Sequence, residues 1–305
     1  MYVVYVGAAI AARARAPRGR GALARWLQPV KRHRRNPLPA FMSTESPAAA
    51  SATAEPKAPV EKLRKDYRPV PWSVASVDLL FSLNDGETDE ERATKVTAKV
   101  AMSPAGKPGE ANDIVLDCED IELESVAIDG VAVAGYTLED DVLTIPASAV
   151  PADLESFTLE TVSLLSPAAN LQLSGLYKSS GMFCTQCEAE GFRRITPYFD
   201  RPDVMSTYTV RIEADQERYP VLLSNGNKVA EGVVEGSSPP RHFAVWEDPF
   251  KKPSYLFAVV AGDLGSIKDS FTTASGREVA LEIFSEHANV DQLAHAMRSV
   301  HRVSE

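Results

Sequence analysis

The chain lacks most of the signatures by which enzymes declare themselves. Only three of its 305 residues are cysteine (Cys118, Cys184 and Cys187) and five are histidine. Three thiols are too few, and odd in number, for a disulfide scaffold, and they fit a reducing compartment. His33, His242, His287, His295 and His301 form no H-E-x-x-H, and no G-x-S-x-G, P-loop or Rossmann glycine pattern occurs. There is no run of about 18 apolar residues, so the sequence spells no membrane-spanning helix. A formal net charge of −10 argues against a general nucleic-acid binder, which is usually basic. Acidic residues are missing altogether from 1–44, which hold nine Lys or Arg, so the remainder carries −19.

That acid-free, Arg- and Ala-rich start fits an organelle transit peptide, for chloroplast or mitochondrion; without one the chain would be cytoplasmic. The run Lys31-Arg32-His33-Arg34-Arg35 also fits a nuclear or anionic-surface patch. Translation from Met42 would remove the segment entirely. A secretory signal fits less well, because the apolar stretch 2–12 precedes the charges. Residues 45–66 begin with a Ser-, Ala- and Pro-rich run poor in large apolar side chains, the composition of a disordered linker.

The rest is ordinary in composition, 44% hydrophobic and 24% charged, and long enough for one or two domains with a sizeable core. Order is expected from Tyr67, with Arg68-Pro69-Val70-Pro71-Trp72 extended because each proline keeps its predecessor out of the α region. Strands are expected at 77–83, 94–100, 114–116, 123–128, 131–133, 136–138, 142–145 and 157–162. They resume at 208–213, 221–227, 242–246 and 255–261, with Asp248-Pro249 to Pro253 interrupting the last two. Strands every eight to twelve residues with turns between them predict a mainly β fold, an antiparallel sandwich or curved sheet. The tail reads as a hairpin around Ser275-Gly276. Asn289 then caps a helix from Val290, with Leu293, Ala296, Met297 and Val300 on one stripe.

Residues 175–204, GLYKSSGMFCTQCEAEGFRRITPYFDRPDV, break the pattern. Their alternation is poor and they are polar and Gly-punctuated, which reads as a functional loop rather than core. Cys184-Thr185-Gln186-Cys187 is a C-x-x-C, but the βαβ setting of a redox dithiol is absent, and so are two further soft ligands for zinc. Two unpaired cysteines packing a tight loop is the favoured reading. His242 reads as structural; His295 and His301, six apart, lie on opposite sides of a helix. Glu188 and Glu190 would share a face in an extended segment, close enough to hold a cation; the bland reading pairs one of them with Arg193 or Arg194.

These same residues carry a resemblance. GLYKSS, FCTQCEAEGFRRITPYFDRPDV, YPVLLSNGN, WEDPFKKPSYLFAVVAGDL and FTTASGREVALEIF resemble the aminopeptidase N family of zinc metallopeptidases, in its alanyl aminopeptidase branch, over 67–303. The resemblance implies an amino-terminal β-saddle at 67–262, and at 263–305 only the opening hairpins and first helix of a thermolysin-like zinc domain. The family's Gln-x-Glu maps onto Gln186 and Glu188, which would bind the substrate's free α-ammonium. The family's G-A-M-E-N and H-E-x-x-H segments are absent, so the resemblance implies zinc in the full-length family but no zinc ligand and no catalytic residue on this chain. The implied partners are peptide amino termini and a missing catalytic domain or full-length paralogue. The expectation is an aminopeptidase fragment inactive by itself; the alternative is a non-catalytic β-saddle module that binds amino termini or a partner protein. In the first case the helical stripe would find its covering surface in the missing domain.

Overall fold

Period-two alternation of buried and exposed side chains runs through most of the chain. A computed structural model describes residues 2–5 (as backbone), 61, 63–84, 93–106, 112–150 and 155–304. The strands are β1 (Tyr2–Tyr5), β2 (Trp72–Ser82), β3 (Thr94–Pro104), β4 (Ile114–Asp117), β5 (Glu122–Ile128), β6 (Val131–Ala132), β7 (Thr137–Glu139), β8 (Val142–Ile145) and β9 (Phe157–Leu165). They continue as β10 (Gly175–Ser179), β11 (Met182–Gln186), β12 (Met205–Asp215), β13 (Val221–Ser224), β14 (Asn227–Val234), β15 (Arg241–Pro253), β16 (Val259–Gly262), β17 (Gly265–Thr272) and β18 (Glu278–Ser285), before a helix α1 (Ala294–Ser304).

The chain divides into two units, 1–9 with 69–305, and 10–68. Of the second, residues 61 and 63–68 are described. They hold a short 3-10 turn, Arg64–Asp66, whose Asp66 carboxylate accepts from the Leu63 N–H. The transit-peptide reading of 1–44 and most of the linker 45–66 fall outside the described residues. Tyr2–Tyr5 alone of the first segment is described, as a strand parallel to β18.

The larger unit is mainly β, as expected. Its principal sheet has eight strands in the order β14-β15-β12-β2-β3-β9-β5-β6. Every neighbouring pair is antiparallel except β12 with β2, which run parallel. A four-stranded sheet, β10-β11-β16-β13, and a three-stranded one, β4-β8-β7, are built around it. One core joins them, from Trp72 and Phe81 through Phe192 and Tyr198 to Phe257 and Val260. A second, smaller cluster holds Val279, Leu281, Ile283, Leu293 and Met297, from β18, α1 and the residue before it.

Bulges explain the imperfect alternation. In β2, Trp72 and Val74 are buried and then the phase slips so that Val77, Leu79 and Phe81 are buried. The register with β3 shifts between Val74 and Ser76, where one extra residue resets the face.

Four expected elements take a different form. Asp248-Pro249 does not interrupt the strand at 242–246; β15 runs on to Pro253. Its pairing with β12 skips from Asp248, opposite Tyr208, to Lys252, opposite Ser206. Pro249 thus sits in a bulge, where no ladder N–H is required. The expected strand 255–261 is instead a 3-10 turn, Ser254–Leu256, followed by β16. Asn289 does not cap a helix from Val290: 287–292 is 3-10, and α1 starts at Ala294. The apolar stripe is also not left bare, since Leu293 and Met297 are buried in the small cluster with β18. Lastly, 175–204 is not a plain loop but a β10–β11 hairpin leading into core. Met182, Phe183 and Cys184 are buried in succession because both faces of β11 are covered, which erases the alternation.

Candidate substrate-anchoring site

The site is a turn at the end of β11. Gln186 closes the strand, and residues 187–191 fold back into a 3-10 turn at Phe192–Arg194. Backbone pairing of β11 with β16 covers only Phe183↔Ala261 and Cys184↔Val260. Thr185 extends that ladder with its side chain: its hydroxyl accepts from the Val259 N–H at 2.8 Å and donates to the Val259 carbonyl. The strand is therefore held firmly up to the residue before Gln186.

Two glycines let the turn close. An added Cβ on Gly191 would lie 2.3 Å from the Gln186 carbonyl oxygen, 2.9 Å from Cys187 Cα and 3.0 Å from the Gly175 nitrogen, all backbone atoms. The Gly191 N–H donates to the Cys187 carbonyl at 2.8 Å. Gly175 takes φ +73° beside Arg194. Gly191→Ala is expected to force this turn apart. It should cost about 1–3 kcal/mol in urea unfolding and shift the amide resonances of Gln186 to Glu190. A variant that keeps both stability and shifts would show that the close approach is dispensable.

The turn presents Gln186 and Glu188 to solvent and buries Cys187. Gln186 Nε2 donates to the Glu188 carbonyl at 3.1 Å, so the two predicted residues lie together. The peptide bond after Glu188 is cis. Among the described residues the Glu188 carboxylate has no hydrogen-bond or ion-pair partner. Glu190, by contrast, lies 3.7 Å from Arg193, so the expected Glu–Arg pairing falls to Glu190.

The root of the turn is a buried charge network. Asp200, with a side chain 1% exposed, accepts from the backbone N–H and Nε of Arg193 at 3.2 and 3.1 Å and from Ser254 Oγ at 2.6 Å. Arg193 also donates to the Asp200 carbonyl and pairs with Asp117 at 3.3 Å, while Asp117 accepts from the Asp200 N–H. Burial holds the Asp117 carboxyl above its ordinary range, against the lowering effects of Arg193 and of the Asp200 N–H. Arg194 turns the other way, to Glu119, Asp120 and Gln172. The sequence marks the two arginines but not this division, which depends on Asp117 arriving from β4, some 76 positions earlier in the numbering than Arg193.

The C-x-x-C is packed into the core. Cys184 and Cys187 are buried and in no disulfide, 6% and 2% exposed. Burial, with the Asp200 charge adding to it, pushes the Cys187 thiol far above its ordinary value; burial and Asp141 push Cys118 up to about 11. A thiol raised in this way, as at Cys187 and Cys118, is a poor nucleophile. His242 donates to or accepts from no catalytic group; its Nε2 meets the Tyr219 carbonyl at 2.8 Å. His301 pairs with Asp269.

With this geometry in place, the comparisons with known proteins are decisive. The family model described as the Peptidase M1 N-terminal domain matches residues 78–256. The chain belongs to the M1 peptidase family. Aminopeptidase N of Escherichia coli is 44% identical over 243 residues, which are 79% of this chain and 26% of that protein. Aminopeptidase N of Caulobacter vibrioides is 46% identical over 237 residues, 78% of this chain and 26% of that protein. Among solved structures, aminopeptidase A of Legionella pneumophila, in complex with aspartic acid, superposes with a TM-score of 0.67 at 33% identity, over 75% of this chain and 26% of that one. An M1 zinc metallopeptidase from Deinococcus radiodurans shares the fold, with a TM-score of 0.58 at 15% identity, over 71% of this chain and 48% of that one. The chain therefore spans about a quarter of the length of its aminopeptidase N relatives, and the match lies in the amino-terminal part of the M1 architecture. Zinc metallopeptidases of this family imply a metal. Among the described residues, no three His, Cys, Asp or Glu side chains converge to hold one, so zinc does not fit this part of the fold.

Proposed function

We propose that this chain supplies the α-amine anchor of an aminopeptidase that removes residues from peptide amino termini. The observation that carries the reading is the exposed Glu188 carboxylate, unpartnered among the described residues and set beside Gln186 at the tip of a firmly rooted turn. A carboxylate suits a free ammonium because charge-assisted hydrogen bonds are the stronger kind, about 1.5–3 kcal/mol each. Gln186 both donates and accepts, and so can align the first peptide group. An acetylated amino terminus offers no charge to Glu188, which would confine the site to chain ends.

Within this reading 67–262 is the β-saddle and 263–305 opens the next domain; Val279, Leu281 and Ile283 of β18 form a small core with Leu293 and Met297, while Leu264 and Phe284 join the main one. The chain alone anchors and does not cleave. Calorimetry with a free-amine tripeptide and its acetylated twin tests the anchor. Weak binding of the free amine only, lost in Glu188→Gln, is expected; equal binding of both peptides, or none, would sink the reading. Turnover of aminoacyl-arylamides by this chain in the presence of zinc would overturn the second half. The alternative, a non-catalytic module capturing amino termini, uses the same residues and predicts the same calorimetry. It parts from the first reading only in a longer enzyme, where Glu188→Gln would then leave turnover unchanged.

A further inference from the structure

We propose that Arg193 sorts the two exposed carboxylates of the turn, holding Glu190 toward the loop root and leaving Glu188 alone to receive a ligand ammonium. The proposal rests on the anchoring role of Glu188 given above. The turn carries two glutamates two positions apart, both exposed, and either could accept an ammonium by chemistry alone. Only their surroundings differ.

The guanidinium that makes the difference is itself fixed. Asp200 takes its Nε and, through the carbonyl, its Nη2, while Asp117 takes its Nη1. A planar fork pinned on three sides has one direction left, and there Nη2 meets Glu190 Oε1 at 3.7 Å. Glu190 is 71% exposed at its side chain, so this contact adds little to stability. Its consequence is local charge. A second unpaired carboxylate would let a peptide amine dock at Glu190 instead, in a register displaced along the turn. Arg193 turns a donor toward Glu190 and none toward Glu188, so Glu188 is the carboxylate left without a facing cation among the described residues. Arg193 is thus a positioning residue that acts through Glu190 and touches no ligand.

The test uses the full chain and two conservative variants, Glu188→Gln and Glu190→Gln, which leave the buried network untouched. The first readout needs no ligand: the guanidinium carbon and nitrogen resonances of Arg193. They should move in Glu190→Gln and stay in Glu188→Gln; the reverse, or no movement in either, overturns the pairing. The second is calorimetry with trialanine amide. Glu190→Gln should bind within about twofold of the parent and Glu188→Gln at least tenfold more weakly, about 1.4 kcal/mol. Equal losses in the two variants would overturn the sorting while leaving amine capture standing. A parent chain that binds trialanine amide no better than its acetylated form would remove the anchoring role itself, and the Arg193 resonances would still decide whether the carboxylates are sorted.

Discussion

Replacing Asp200 by alanine is expected to destabilise the larger unit by about 3–5 kcal/mol, the cost of breaking a buried ion pair by removing one partner. The side chain is 1% exposed, and it accepts from the Arg193 backbone N–H, Arg193 Nε and Ser254 Oγ. Removing it leaves those donors without their acceptor and leaves a guanidinium only 17% exposed facing Asp117 and the distant Glu190. The loss is larger than a surface pair would give because water cannot re-solvate the abandoned groups. Urea unfolding should show a midpoint lower by more than about 1 M, given slopes of about 1–3 kcal/mol/M for domains of modest size. Asp200→Asn, which keeps the shape and one carbonyl oxygen, should lie between parent and alanine. An unfolding free energy for Asp200→Ala within about 0.5 kcal/mol of the parent would mean the network is ornamental.

The second large effect is expected at Phe192. It is fully buried, and its ring meets Tyr198 and Phe257 edge-on at centroid distances of 5.1 Å each and Tyr208 at 6.1 Å. These rings come from separate stretches of chain and pack around Phe192, the residue that follows the 187–191 turn. Phe192→Ala removes the shared partner and leaves a cavity walled by bulky side chains that cannot collapse into it. The cost is about 3–5 kcal/mol. Because Phe192 directly follows the turn, the amides of 187–191 should also exchange with solvent faster than those of β3, which contributes no ring to this cluster. A destabilisation below about 1 kcal/mol would show that the aromatic cluster repacks freely, against the near-crystalline density of protein cores.

Both effects arise in the stretch where sequence reasoning was weakest. Residues 175–204 look polar and irregular, and the absence of alternation argues for a loop. The structure makes them a hairpin and then core, because Met182 to Cys184 are buried on both faces and Phe192, Ile195 and Tyr198 fill the space between sheets. Alternation detects strands with one wet face; it is silent where both faces are dry. The same limit misplaced the break at Asp248-Pro249, since a proline stops a strand only where the ladder needs its N–H, and a bulge in β15 removes that need.

Much else was legible. The one-wet-face strands such as β3 and β12 alternate plainly, and the turn residues between them mark a mainly β chain. The resemblance of GLYKSS and FCTQCEAEGFRRITPYFDRPDV to the aminopeptidase N family is carried by residue identity alone, and the family comparison agrees with it. What the residues cannot disclose in linear form is which charges meet. Arg193 and Arg194 are adjacent and chemically equal, yet one enters the buried cluster of Asp117 and Asp200 and the other pairs with Glu119 and Asp120. Glu188 and Glu190 are likewise equal until Arg193 stands beside one of them. Sequence by itself determined the strand-rich class and the family, because these depend on side-chain identity and short-range periodicity. Only the tertiary structure decided that the cysteines are buried, that the loop is rooted in a buried ion network, and which glutamate is left bare. Those outcomes depend on burial and on partners brought from distant strands, and a buried charge takes whichever partner the fold places within hydrogen-bond reach.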